Sequence, residues 1–268
     1  MSQRHSASSL AADLRASTIS QGDVLIVHSS MKSLGEVSGG PESVIAALQD
    51  AVGTSGTLLM PTFTGPQPDR IFDMRHTPSR TGLITETFRQ SPGVKRSRHP
   101  THSVSAWGAR ADEFIEGHDH TSGLGVDSPF HKAAKAGAKV LMIGCTLTTT
   151  SAIHISEAIM RVPYLGKVFY PGYEQTLTLI DETGRRHVVP PRDVPTDSAN
   201  FTVVQDAMEQ REMIRQVRIG DARSLLFKAS DALGVAIELL RADRAALLCS
   251  NERCPVCPAA RKLCVSQF

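Results

Sequence analysis

A histidine and a glutamate three residues apart, His154 and Glu157, are the pair in this sequence best suited to acid–base chemistry. They lie in a predicted helix, where residues at positions i and i+3 share one face about a turn apart. A carboxylate placed there can hold an imidazole ring in one tautomer. The spacing predicts a general base and its orienting carboxylate, although ordinary surface pairs also have this spacing.

The position of this pair in the chain favours the catalytic interpretation. It follows a stretch typical of a buried strand that ends in a glycine, Val140 to Gly144 (VLMIG). In open α/β sheets, ligands bind at the carboxyl ends of the strands, where the chain turns toward the next helix. A histidine at such a turn is well placed for chemistry.

A second strand, over 24–27 (VLIV), leads into a polar loop with several glycines and then a helix over 42–52. Backbone N–H groups at a helix N-terminus favour an anion, and Lys32 adds a positive side chain. The loop matches neither a Walker A motif nor a dinucleotide fingerprint. By itself it predicts either a phosphate site or a tight loop that needs glycine for its turns.

Strands and helices alternate along the rest of the chain. Helices are predicted over 8–19, 82–89, 111–116, 129–135, 201–217 and 230–241, and strands over 57–60, 140–144, 220–226 and one that ends at Trp107. A β-hairpin is predicted over 167–180 and 185–190, and the long stretch 61–80 is predicted to be a structureless lid or substrate loop. This pattern predicts an α/β fold with a mainly parallel central sheet flanked by helices and an added β-hairpin region.

Composition excludes several functional classes. The 268 residues are 41% hydrophobic and 21% charged, as in ordinary globular proteins. The net charge of +2 is spread along the chain, so we expect no nucleic-acid partner, and the basic run Lys95 to His99 is predicted to be a solvated turn. Without an apolar run long enough for a membrane span or a signal peptide, we expect no membrane association and a cytoplasmic location.

Four of the five cysteines lie near the C-terminus. They are Cys249, Cys254, Cys257 and Cys264. Thiolates at this spacing can converge on one structural zinc ion, although a second Cys-x-x-Cys pair is missing. The alternative is a loosely ordered tail with reduced thiols, since disulfides are disfavoured in the cytosol.

A group of histidines supports a different class of enzyme. His99, His102, His118 and His120, with Asp119, are potential ligands of a catalytic zinc in a hydrolase. Against this alternative, His99 and His102 flank a proline in a predicted loop.

Five ordered motifs resemble those of the aminoglycoside 3-N-acetyltransferase family, which is unrelated in fold to the GNAT acetyltransferases. The motifs are GDVLIVHSSMKSLGEVSGG at 22–40, GTLLMPTFT at 56–64, HPTHSVSAWG at 99–108, DSPF at 127–130 and VLMIGCTLTTTSAIHISEA at 140–158. The resemblance covers nearly all of residues 8–240. We expect one domain over 1–248 and a cysteine-rich tail over 249–268, and the resemblance implies no role for the tail.

The resemblance implies direct acetyl transfer from acetyl-CoA to an amine, with His154 as base and Glu157 as its orienting carboxylate. A neutral imidazole, with a pKa near 6.5, is suited to take a proton from that amine. Ser103 would lie near the reactive end of the coenzyme. Candidates for hydrogen-bond donors to the oxyanion are Ser103 and residues 148–151. The coenzyme-binding loop would comprise His28, Ser29, Ser30, Lys32, Ser33, Leu34 and Gly35.

The identity of the acceptor is less constrained than the reaction. Aminoglycosides are polycations and call for carboxylates around the cleft, for which Asp69 and Asp73 are candidates. The sequence pI is about 8.3, and residues 61–98 carry more basic than acidic side chains. The acceptor is therefore either an aminoglycoside or another amine. A third alternative is a protein that only sequesters its ligand, which would need no base. The sequence leaves the oligomeric state open, with a homodimer as one option.

Overall fold

A β-sheet with helices packed on both faces forms the centre of the computed structural model, which describes residues 4–167, 170–191 and 196–265. The strands are β1 (Val24–Ser29), β2 (Thr57–Pro61), β3 (Ile71–Asp73), β4 (Lys95–Arg96), β5 (Val104–Gly108), β6 (Lys139–Ile143), β7 (Leu177–Ile180), β8 (Arg186–Val189), β9 (Arg215–Ile219) and β10 (Ala222–Lys228). The α-helices are α1 (Ala7–Ala16), α2 (Gly40–Val52), α3 (Leu83–Gln90), α4 (Ala111–Ile115), α5 (Pro129–Lys135), α6 (His154–Ile159), α7 (Thr202–Gln210), α8 (Ala229–Ala242) and α9 (Cys257–Val265).

The central sheet has seven strands in the order β4-β5-β2-β1-β6-β10-β9. Strand β1 pairs in parallel with β2 on one side and with β6 on the other. Strands β5 and β10 run antiparallel to the neighbours that they pair with, so the other strands of the sheet share one direction. The predicted α/β class, with a mainly parallel sheet between helices, is confirmed, and its antiparallel pairs lie outside the three central strands.

Alternating residues of β1 explain why helices cover both faces of the sheet. Leu25 and Val27 pack into one core with α1, α2 and α3, whereas Ile26 packs into the other with α5, α7 and α8. All three side chains are fully buried. Successive strand residues point to opposite faces, so a strand that is apolar at every position must be covered on both sides.

The predicted β-hairpin is confirmed by β7 and β8, which pair antiparallel across a turn at 181–185. Val168 and Phe169, near the start of the predicted first strand, lie outside the described residues. A third strand, β3, pairs in parallel with β7 to complete a small sheet. The stretch 61–80 is therefore not structureless as predicted. Its three-residue strand is too short to give a periodic signal, and its partner lies about a hundred residues away.

Two local predictions are wrong. The helix predicted over 201–217 ends at Gln210, because Glu212 takes a left-handed backbone with φ 57°. Residues 215–219 instead form β9, whose ladder with β10 turns through Gly220 and Asp221. The basic run Lys95 to His99 is not a solvated turn, because Arg96, Ser97 and His99 are buried. In both places, pairing with the next strand along the chain overrides the local pattern: β9 pairs with β10, and β4 pairs with β5.

The C-terminal residues pack against the domain. Val256, Cys257 and Ala260 are buried, and the last two belong to the same apolar core as α8. The boundary placed at residue 248 remains a prediction, and residues 266–268 of the tail lie outside the described part of the chain. Within the described residues, no helix has the length and apolar character needed to cross a membrane.

Candidate active site

The carboxyl edge of the sheet gathers the residues that the sequence singled out. His28 lies near the end of β1, Thr62 follows β2, and the chain leaves β6 through two short 3-10 turns before α6 begins at His154. Ser103 precedes β5, which runs the opposite way and so starts at this same edge. Parallel strands that end together bring together side chains far apart in sequence.

His154 and Glu157 form a direct hydrogen bond at this edge. His154 Nδ1 lies 2.7 Å from Oε2 of Glu157, and the two residues are only 6% and 1% exposed. The edge of the Phe201 ring packs on the imidazole, with ring centroids 4.7 Å apart. The pair is therefore a buried, oriented unit and not a surface ion pair.

The second oxygen of Glu157 is held by two further donors. The Tyr164 hydroxyl donates to Oε1 at 3.0 Å, and the Thr196 hydroxyl donates to the same atom at 2.9 Å. Burial, followed by the negative charge of Glu157, raises the pKa of Tyr164, so the phenol keeps its proton and remains a donor. A carboxylate that accepts from three side chains favours the N–H at Nδ1 of His154 and leaves the Nε2 lone pair available.

His102 lies close enough to His154 for their charges to interact. Burial, then repulsion from His154 and His118, lowers the pKa of His102 to about 3. Its ring also packs edge-on against Phe63, with centroids 4.9 Å apart. His102 is therefore neutral at pH 7 and adds no competing positive charge to the site.

The loop after β1 has the shape expected of a ligand-binding turn. Residues Met31–Leu34 form a 3-10 turn, with Lys32 exposed and Leu34 fully buried in the core. Ser33 donates to Ser30 Oγ at 3.0 Å, and Gly35 has φ 78°. The side chain of Leu34 is directed away from solvent, so only its backbone could contact a coenzyme.

His28 and Ser29 contribute buried polar atoms with no hydrogen bond to the described residues, namely His28 Nε2 and Ser29 Oγ. Burial lowers the pKa of His28 to about 4, so its ring is neutral at pH 7. Buried polar groups are nearly always paired in folded proteins. These two atoms at the end of β1 are therefore candidate contacts for a bound molecule, which would supply the missing hydrogen bonds.

Ser103 is placed less favourably than its neighbours for binding a ligand. Its hydroxyl is fully buried, donates to the Thr62 carbonyl at 2.7 Å and accepts from Arg96 Nε at 2.9 Å. Among the other oxyanion candidates, Thr150 donates to Met142 Sδ and Thr149 to the Thr146 carbonyl. Ser151 is buried, and its hydroxyl has no bond to the described residues.

Asp69 and Asp73 are used locally. Asp69 accepts from the backbone of Ile71 at 3.0 Å, and Asp73 accepts from Arg75 and His76. Burial raises the pKa of Asp73, but the hydrogen bonds from His76 and Arg75 outweigh it and leave the pKa below its ordinary value. These carboxylates stabilise their own turns, which takes up part of their capacity to accept hydrogen bonds from a substrate.

The hydrolase alternative is wrong. His118 Nε2 donates to the Gly123 carbonyl at 3.0 Å, and His99 Nδ1 accepts from the backbone of His102. His120 is largely exposed beside Asp119. The rings of His99, His102 and His118 contact one another, but their nitrogens do not come together as a group of metal ligands within the described chain.

The tail cysteines converge only in part. Cys249, Cys254 and Cys257 come together, and the fourth ligand atom belongs to Asp197 rather than to Cys264 as predicted. Cys264 lies seven residues after Cys257, near the other end of α9, and is not part of the cluster. Sequence reasoning missed Asp197, as it missed Tyr164 and Thr196. Thr196 and Asp197 carry no spacing signal because their partners lie dozens of residues away, and Tyr164 reaches Glu157 from the turn after α6, outside the helical pattern.

The fold and this site define an α/β protein with a histidine and its carboxylate at the carboxyl edge of the sheet. The model of the aminoglycoside 3-N-acetyltransferase family matches residues 26–241. The chain belongs to this family, whose members are N-acetyltransferases.

Known relatives extend the similarity over most of the chain. Aminoglycoside N(3)-acetyltransferase VIII of Streptomyces fradiae is 32% identical, over 85% of this chain and 89% of the relative. The solved structure of aminoglycoside acetyltransferase AAC(3)-IVa, as a histidine-to-alanine mutant in complex with a gentamicin, aligns with a TM-score of 0.86 and 26% identity over 98% of each chain. The AAC-IIIb structure with CoASH aligns with a TM-score of 0.74 and 27% identity, over 90% of this chain and 97% of that one.

Proposed function

We propose that this enzyme transfers an acetyl group from acetyl-CoA to the 3-amino group of an aminoglycoside, with His154 as general base. The observation that carries the proposal is the buried Glu157 carboxylate, which bonds to Nδ1 of His154 at 2.7 Å while two hydroxyls fix its other oxygen. This geometry leaves Nε2 of the histidine as the proton acceptor. A protein that only sequestered its ligand would need no such base.

The chemistry proceeds in one displacement. Nε2 of His154 accepts a proton from the substrate amine as nitrogen attacks the acetyl carbonyl, and Glu157 stabilises the imidazolium that forms. The tetrahedral intermediate then collapses, the carbon–sulfur bond breaks, and the imidazolium returns its proton to the departing thiolate. The products are the amide and free CoA, and no covalent acyl-enzyme is needed.

Ser151 is the best placed of the proposed oxyanion donors. Its hydroxyl is uncommitted within the described residues, and it lies one short 3-10 turn before His154. The Ser103 hydroxyl already donates to Thr62, so it could serve only after a rearrangement. We therefore propose that Ser103 has a structural role next to the reactive end of the coenzyme.

The coenzyme is proposed to bind along the loop after β1. Nε2 of His28 and Oγ of Ser29 offer unpaired polar atoms, and Lys32 offers an exposed positive charge. The same loop borders an open groove, lined also by Gly144, Arg218 and Arg223. The groove gives the coenzyme's anionic end a place to bind.

The two arginines of this groove support its proposed role. Arg218 and Arg223 are directly opposite on β9 and β10, and Arg223 is exposed, with no ion pair in the described part of the chain. Like charges directly opposite on paired strands destabilise the pairing, and although Arg218 pairs with Asp221 at 3.4 Å, a bound anion would also offset the charge of Arg223. The phosphates of CoA carry the required charge.

A second acceptor class is favoured by one observation. Asp69 and Asp73 already accept hydrogen bonds within their own turns, so fewer of their lone pairs remain for the ammonium groups of a polycation. The acceptor could then be an amine with fewer positive charges, on the same fold and with the same base. We also propose a cytoplasmic location, where acetyl-CoA is made.

Release of free CoA from acetyl-CoA, measured against a panel of aminoglycosides and simple amines, tests the proposal. We expect turnover with aminoglycosides that carry a free 3-amino group and its loss in His154→Ala, with acetyl-CoA binding retained. Equal turnover by that variant would overturn the mechanism. Turnover with simple amines alone would leave the mechanism standing and replace the acceptor.

A further inference from the structure

Sulfur and oxygen atoms that could ligate a metal form a cluster beside the segment that contacts Glu157. Sγ of Cys249, Cys254 and Cys257 and a carboxylate oxygen of Asp197 all lie within 4.8 Å of one another. A tetrahedral zinc ion with bonds of about 2.3 Å to sulfur places its ligand atoms about 3.8 Å apart. The atoms of this cluster need to move only slightly inward to meet that geometry.

The hydrogen bonds around the cluster suit thiolates better than thiols. The backbone of Cys249 donates to Cys257 Sγ at 3.3 Å, and the backbone of Cys257 donates to Cys254 Sγ at 3.4 Å. Cys257 also begins α9, where backbone N–H groups favour negative charge on sulfur. These donors are those expected around sulfurs that ligate a metal, since a thiol sulfur is only a weak acceptor.

Without a cation, the cluster would have to keep its protons. Asp197 Oδ2 accepts from Cys254 Sγ at 3.4 Å and from Cys257 Sγ at 3.8 Å, so the carboxylate shares those protons. A divalent cation at the centre would replace them and hold all four ligands at once.

Asp197 connects this cluster to the carboxylate that orients the proposed base. The residue before it, Thr196, donates to Glu157 at 2.9 Å, and the residue after it, Ser198, donates to the Thr148 carbonyl at 2.5 Å. A single short segment therefore contacts Glu157, the turn before His154 and the cysteine cluster. Fixing Asp197 fixes the hydroxyl of Thr196.

We propose that Asp197, Cys249, Cys254 and Cys257 bind one structural zinc ion, which fastens the C-terminal segment to residues 196–198 and thereby positions Thr196 against Glu157. Thr196 and Asp197 are positioning residues and do not touch the reacting atoms. The coupling to catalysis rests on the proposed role of Glu157, whereas metal binding does not. The two parts therefore have separate tests.

Zinc content of the full-length chain, purified under reducing conditions, tests the metal site. We expect about one zinc per chain, a large loss in Cys254→Ser and Asp197→Asn, and retention in Asp197→Cys, which restores a fourth thiolate. Cys264→Ser is the matched control, because it lies in the same helix outside the cluster and should keep its zinc. Replacement of zinc by Co²⁺ should give the near-ultraviolet absorption of cobalt bound to thiolates.

Zinc-free wild-type protein that binds neither added Zn²⁺ nor Co²⁺, or a disulfide between two of the three cysteines in the reduced preparation, would overturn the site. Equal zinc content in Cys254→Ser and in the wild type would also overturn it. Removing the metal from intact protein with a chelator, and then restoring it, keeps the test independent of variants that fold poorly.

A double-mutant comparison tests the coupling. Thr196→Val and metal removal should each lower kcat about tenfold and leave KM for acetyl-CoA unchanged. Each should also shift the acidic limb of the kcat–pH profile upward, because Glu157 loses a donor and attracts the imidazolium more strongly. If both act through one hydrogen bond, the metal-free Thr196→Val protein should lose little more than either alone. Additive losses, or a change in KM alone, would overturn the coupling and leave the metal site intact.

Discussion

The phenolic hydroxyl of Tyr164 donates to Oε1 of Glu157 at 3.0 Å, on the carboxylate oxygen that does not contact His154. One oxygen of the carboxylate orients the imidazole, and the other is held by residues outside α6. The orientation of the proposed base therefore depends both on its own helix and on contacts from residues outside that helix.

Replacing the carboxylate with an amide should disable the enzyme while preserving its shape. In Glu157→Gln, the amide can donate to Nδ1 of His154 and so favour the tautomer with the proton on Nε2. We expect kcat to fall by about two to four orders of magnitude, with little change in KM for acetyl-CoA. Steady-state CoA release measures both. Glu182→Gln, an exposed change in the hairpin turn, is the control, and near-normal kcat in Glu157→Gln would contradict the role of the carboxylate.

Loss of the Tyr164 hydroxyl should have a smaller effect. Tyr164→Phe leaves Glu157 with two donors, and we expect kcat to drop by about tenfold, the worth of one hydrogen bond to a charged group. The acidic limb of the kcat–pH profile should move to higher pH, since the less stabilised carboxylate attracts the imidazolium more strongly. Tyr170→Phe, whose phenol does not bond to Glu157, should behave like the wild type. An unchanged pH profile in Tyr164→Phe would argue for a packing role alone.

Reversal of charge in the groove should weaken coenzyme binding without slowing the chemistry. For Arg223→Glu, we expect KM for acetyl-CoA to rise by about tenfold or more and kcat to remain near its original value, because phosphate contacts lie far from the acetyl group. Arg215→Glu changes the same hairpin outside the groove and is the matched control. If both variants have the same KM, the coenzyme does not bind along this groove.

Buried neutral histidines should make the protein sensitive to acid. Burial lowers the pKa of His118 to about 4, whereas an unfolded histidine titrates near 6.5. The unfolded state therefore binds more protons between these values, and stability is full above pH 6.5 and falls as the pH drops toward 4. Between pH 7.5 and 5, His118 alone should cost about 2 kcal/mol in the free energy of unfolding.

Denaturant unfolding of the wild type and His118→Gln at both pH values measures this effect. The variant is expected to be less stable at pH 7.5, where it loses bonds to Ser97 and Gly123, but to lose less stability on acidification. Parallel losses in the two proteins would show that His118 takes up no proton on unfolding. His28 should add a contribution of the same sign, since its pKa is also lowered to about 4 by burial.

Local patterns were reliable wherever the relevant contact lies within one element. His154 and Glu157 meet because helical geometry places positions i and i+3 together, and the predicted hairpin forms because its turn and strands are adjacent in sequence. The strands β1, β2 and β6 are recognisable because they are apolar at nearly every position, which the burial on both faces explains. The α/β class followed from these elements.

The same patterns failed where a partner outside the element decides the outcome. Residues 215–219 lie on a pattern that favours helix, and only the ladder with β10 makes them a strand. For Ser103, which the resemblance places near the coenzyme, the sequence does not show that Arg96 and Thr62 bond to its hydroxyl. Both outcomes depend on contacts between elements, which the periodicity of a single segment does not encode.

The sequence by itself determined the family, the α/β class and the histidine–glutamate pair, because ordered motifs and helical periodicity are properties of the chain read in one dimension. Only the tertiary structure decided that Tyr164 and Thr196 hold the carboxylate and that Asp197, not Cys264, completes the cysteine cluster. Most of these contacts join segments dozens of residues apart, and they form because burial of the core fixes the separation and direction of side chains that the sequence leaves independent.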